Sequence, residues 1–99
     1  MSDILNASGE KMASFGDDGK VRNREGNVIG YVTDDNRVHT TDGDKVGYFD
    51  FKGYVYKGDR LAGKIRPDGT VYDENDHLAG KVKGDRINSA GAALLLLVI

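Results

Sequence analysis

The sequence predicts an all-β domain: an antiparallel meander of about ten short strands, built from five hairpin repeats of 16 to 17 residues. An apolar C-terminal helix or strand is expected to cover the sheet. Three observations lead there. β-Branched residues recur at Ile4, Val21, Val38, Val55, Val71 and Ile87, spaced by 17, 17, 17, 16 and 16. A shared phrase follows each of the first five, as MASF (Met12 to Phe15), VIGYV (Val28 to Val32), KVGYF (Lys45 to Phe49), LAGKI (Leu61 to Ile65) and LAGKV (Leu78 to Val82). Most of the 14 glycines fall in the gaps between β-rich runs, half of the 14 beside Asp or Asn.

Each unit reads as strand, turn, strand, turn. The turns after the first strand are Ser8-Gly9-Glu10, Glu25-Gly26-Asn27, Asp42-Gly43-Asp44, Lys57-Gly58-Asp59 and Glu74-Asn75-Asp76. Those after the second are Asp17-Asp18-Gly19, Asp34-Asp35-Asn36, Phe51-Lys52-Gly53, Pro67-Asp68-Gly69 and Lys83-Gly84-Asp85. Such short Asp/Gly turns close hairpins directly, whereas parallel strands need longer crossovers. This favours an elongated or partly closed meander over the alternative, a two-sided β-solenoid. Units start at 4, 21, 38, 55 and 71, and a degenerate sixth from Ile87 runs into the tail, all in a single domain spanning 1–99.

Alternation assigns faces. Val28, Gly30 and Val32 share one face, as do Leu61, Gly63 and Ile65, and Leu78, Gly80 and Val82. That face is the expected core, and its central glycine implies that another backbone or a ring lies directly against it. The opposite face carries Tyr31, Tyr48, Lys64 and Lys81, with Arg22, His39, Tyr56 and Tyr72 from the first strands. The phrase GNVIGYV (Gly26 to Val32), repeated as DKVGYF, DRLAGKI and DHLAGKV, resembles the G-x-x-I-G-x-V hairpin of PRC-barrel domains. YVYKGDRLAGKI and TVYDENDHLAGKV resemble MORN-type repeats, which form elongated antiparallel sheets. Both resemblances imply scaffolding or binding rather than catalysis.

A chain of 99 residues has a thin core, and without cysteine it has no disulfide to reinforce it. Its tail, AGAALLLLVI from Ala90 to Ile99, is wholly apolar but too short to span a bilayer. It is expected to be buried or to carry self-association through Leu94, Leu95, Leu96, Leu97, Val98 and Ile99. A homo-oligomer is therefore expected, a dimer first, with a protein partner as a further expectation. The amino terminus lacks the pattern of a signal peptide, which points to the cytoplasm. Fourteen Lys and Arg against 16 Asp and Glu provide no net positive field, so no nucleic-acid partner is expected.

No catalytic, metal or cofactor site is expected, and the chain does not read as an enzyme. The Asp clusters lack the ligand spacing of a calcium loop. Nothing in the spacing joins His39 to His77, and no serine elbow or phosphate loop occurs. The leading functional expectation is a structural or protein-interaction module that self-associates through its sheet and tail. The alternative is a glycan or small-ligand binding module using Tyr31, Tyr48, Tyr56, Tyr72 and His39.

Overall fold

The computed structural model describes residues 1–99. The strands are β1 (Ser2–Asn6), β2 (Lys11–Phe15), β3 (Lys20–Asn23), β4 (Val28–Val32), β5 (Arg37–Thr40), β6 (Lys45–Phe49), β7 (Tyr54–Lys57), β8 (Arg60–Ile65), β9 (Thr70–Asp73) and β10 (Leu78–Gly84). The helix α1 (Ile87–Ala93) follows and continues as a π-helix over Leu94–Val98. All neighbouring strands pair antiparallel in sequence order, and β10 pairs with β1, so the meander closes into a barrel. Neither the solenoid nor an open sheet survives, because Ser2 through Asn6 pair with Gly84 through Gly80 and leave no free edge.

The turns reverse the chain between neighbouring strands. In both turn families one residue enters the left-handed region, for instance Gly26 (φ 85°) and Gly69 (φ 93°), with Asn36 and Asp76 in the same role. Residues ahead of the turns hold them from outside the glycines. Asn23 Oδ1 accepts the Glu25 and Asn27 backbone N–H groups, and Asp50 and Asp73 do the same for their own turns.

The wall packs inward in two layers. One layer holds a branched or aromatic residue from every strand, matched in five cross-strand pairs: Phe15 with Val21, Val32 with Val38, Phe49 with Val55, Ile65 with Val71, and Val82 with Ile4. All ten are buried. The other layer holds the small residues Ala13, Gly30, Gly47, Gly63 and Gly80, each paired with a first-strand Ile or Val.

The tail threads this barrel with the complementary pattern. At the level of the large residues α1 presents Ala90, Gly91, Ala92 and Ala93, all buried, and a Cβ on Gly91 would stand 2.6 Å from Ile65 Cγ1. At the glycine layer it presents leucines. A Cβ on Gly80 would meet Leu94, one on Gly63 Leu95, one on Gly47 Leu96 and one on Gly30 Leu97. Four consecutive residues thus face four successive units in reverse order. Turning once past five units takes about five residues, more than the 3.6 of an α-helix. The chain widens accordingly, and Ile99 N–H donates to the Leu94 carbonyl, five residues back.

The tail covers the inner face of its own chain's sheet as a helix that begins at Ile87. One expectation needs correction. Val28, Leu61 and Leu78 do not face the core; they are 37%, 40% and 46% exposed. A register shift precedes Gly30, Gly47, Gly63 and Gly80 in each second strand, so the residue just before the glycine takes up the extra position and the one before that turns outward. Ile29, Val46, Ala62 and Ala79 occupy that extra position and pack against the core instead. No helix is long and apolar enough to cross a membrane.

The two-layer fit sets an expected outcome for thermal and urea unfolding. Leu94→Ala empties the glycine layer at a residue 2% exposed and is expected to cost about 2–5 kcal/mol. Gly63→Ala drives a Cβ into the Tyr72 carbonyl as well as Leu95, so Leu95→Ala should not restore it. Ile99→Ala, at an exposed position, should change stability by less than about 0.5 kcal/mol. Equal losses at Leu94 and Ile99 would contradict the threaded tail.

Candidate functional site

The outer wall carries the residues expected to bind a ligand, and closure of the barrel arranges them into oblique cross-strand rows. Lys20 pairs with Tyr31, Tyr31 with His39, and His39 with Lys45. The next row runs Arg37, Tyr48, Tyr56, Leu61, and the one after it Tyr54, Lys64, Tyr72, Leu78. These rows lie side by side on β3 to β10. The remaining rows hold no ring: Thr70, Lys81, Leu5, Lys11, and then Lys83, Asp3, Ser14, Arg22, Val28.

Within the rows the rings stack. Tyr31 and His39 have centroids 5.0 Å apart at 12°, and Tyr48 and Tyr56 are 5.2 Å apart at 21°. Lys45 Nζ stands 5.1 Å from the Tyr48 centroid, and the Arg66 guanidinium 4.7 Å from that of Tyr72. His39 Nδ1 donates to the Gly43 carbonyl at 3.2 Å, which fixes the ring over its own turn. The structure therefore brings Tyr31 and His39 into one pair and Tyr48 and Tyr56 into another, with Tyr72 in the adjoining row. Sequence reasoning missed Tyr54, Leu61 and Leu78 as members of this face. The bulge that turns the two leucines outward has no signature in the alternation, although Lys45 at the equivalent position was a sign of an outward side chain.

The residues expected to carry self-association sit elsewhere. Leu94 and Leu96 are buried, Leu95, Leu97 and Val98 are partly buried in their own chain's barrel, and only Ile99 is exposed. His77 lies in the turn before β10, apart from His39 on β5, and its backbone N–H donates to Asp73. At the mouth where α1 enters, Phe49, Phe51, Arg86 and Asn88 border an open cleft of about 470 Å³. The Arg86 guanidinium there lies 4.7 Å from the Phe15 ring.

Carboxylates concentrate at the barrel ends. Asp18 accepts from the Arg22 guanidinium and from the Lys20 backbone N–H, which together push its pKa down to about 2. The Met1 ammonium donates to Asp17 and Asp85 beside the β1–β10 seam; its pKa is raised by both, and that of Asp85 is lowered by the ammonium. Comparison with known proteins gives no match, whether with a family model, a curated protein or a solved structure.

The pH consequence has a definite sign. Asp18 is depressed in the folded state, so its stabilisation is present above the ordinary carboxylate range and is lost as pH falls toward 2. A carboxyl titration by NMR is expected to place Asp18 well below the ordinary carboxylate value, and Arg22→Gln should return it toward 3.8. An unchanged midpoint in that variant would exclude the Arg22 contact.

Proposed function

We propose that the chain is a non-catalytic binding module that works through its outer wall, a Tyr, Arg and Lys face suited to a glycan or other ligand. The observation that supports this most directly is the filled interior. Barrels of this size otherwise enclose space for a ligand, but here Leu94 to Leu97 occupy it. Binding chemistry is left to the wall, where flat rings and N–H and O–H donors stand side by side. Ring pairs such as Tyr48 with Tyr56 contribute about 0.5–1.5 kcal/mol to packing, so the pair supplies a preformed surface. Tyr48→Ala combined with Tyr56→Ala is expected to abolish glycan-array binding while the circular dichroism of the barrel persists. An intact chain that binds no glycan removes that ligand class.

A second reading is self-association by exchange of the tail. It is favoured by how the tail is held: it enters through Gly84, Asp85 and Arg86, and packing dominates its contacts with the wall. One helix side-chain hydrogen bond reaches the barrel, from Asn88 Nδ2 to the Phe51 carbonyl at 3.5 Å. The same packing can close between two chains. Light scattering across a concentration series is expected to show a dimer under this reading, and a monomer mass throughout excludes it.

A further inference from the structure

The barrel sorts its charges. Of the 14 basic residues, ten lie in strands: Lys11, Lys20, Arg22, Arg37, Lys45, Lys57, Arg60, Lys64, Lys81 and Lys83. Of the 16 acidic residues only Asp3 and Asp73 do, and the other fourteen sit in the turns and connections beyond the strand ends. A chain of net charge -2 thus folds into a basic belt between acidic rims. Five belt cations form ion pairs, Lys11 with Asp3, Arg22 with Asp18, Arg37 with Asp35, Arg60 with Glu74 and Lys64 with Asp76. The other five, Lys20, Lys45, Lys57, Lys81 and Lys83, have no carboxylate partner and are exposed.

We propose that this belt binds a single-stranded nucleic acid, its phosphates held by the free lysines and its bases stacked against the ring pairs Tyr31–His39 and Tyr48–Tyr56. The proposal rests on the outer-wall reading above and names its partner. Basic tracks interleaved with aromatic rings are what strand binding without sequence preference requires. Lys20 and Lys45 flank the first ring pair, and Lys45 also stands over Tyr48 in the second row, so cation and ring alternate along the surface. The wall's shape selects the partner further. A closed barrel offers no strand edge on which an acidic peptide could add a strand. Its outer surface is convex and bears no projecting helix or ribbon to enter a duplex groove, whereas a flexible single strand can follow the curve.

The test is fluorescence anisotropy of the full chain with a labelled oligothymidylate of about twenty nucleotides, between about 50 and 200 mM salt. Saturable binding that weakens with salt is expected. Lys20→Glu, Lys45→Glu and Lys57→Glu together should make the logarithmic salt slope shallower by about two, at about 0.7 per phosphate contact. Tyr48→Ala with Tyr56→Ala should weaken binding about tenfold or more at an unchanged slope. Absence of saturable binding at the lowest salt overturns the proposal. So does equal binding of polyglutamate, heparin or a duplex with no effect of the tyrosine changes, which would mark simple attraction of polyanions. In that case the outer-wall reading still stands or falls on the glycan array.

Discussion

The contact between four glycines and four leucines is the constraint from which the rest of the barrel follows. Ten strands enclose more width than their own side chains fill, and the wall narrows the gap with Val, Ile and Phe at one level only. At the other level the wall recedes to Gly30, Gly47, Gly63 and Gly80, and the tail's leucines advance into the space. Large against small in one layer and small against large in the next gives interdigitation. It also fixes the vertical position of the tail. Sliding it back by one residue would set Ala93 against Gly80 and leave that glycine facing empty volume.

The first unit shows the same rule in a changed form. Ala13 stands where the others have glycine, and the next tail residue in order is Val98, shorter than leucine by one carbon. Val98 indeed lies near that unit, bordering a cavity with Met12 and Ile29. A Cβ gained on the wall is offset by a methylene lost on the plug. The π-helical widening belongs to the same fit, because five units ask for a slower angular advance per residue than an α-helix makes.

Much of this was legible in the sequence, for a physical reason. The 16- to 17-residue spacing marks residues that face inward, and the inward environment is the same in every unit, so the same side chains recur there. The central glycine correctly announced a close neighbour. What it could not announce was that neighbour's identity, since AGAALLLLVI is apolar throughout and carries no periodicity to read. The bulges were nearly hidden likewise: an extra residue leaves little mark when Ile29, Val46, Ala62 and Ala79 are all apolar, and Lys45 alone stood out from the pattern. Closure was invisible because the β1–β10 pairing joins the first and last strands, with nothing local to signal it.

The wall obeys a different logic from the interior. Inward positions repeat nearly unchanged, whereas the equivalent outward pairs run Ser14–Arg22, Tyr31–His39, Tyr48–Tyr56, Lys64–Tyr72 and Lys81–Leu5. Solvation alone would be met by any polar pair, so it gives no reason for rings to fall in three consecutive units and be missing from the other two. Folding needs five-fold equivalence inside; it leaves the outside free to be one-sided. The rings together with the unpaired Lys20 and Lys45 use that freedom to build a sector, and the acidic turns bound it above and below. Net charge read from composition averages the two populations and conceals both, because only the closed barrel sends lysines to the wall and aspartates to the rims.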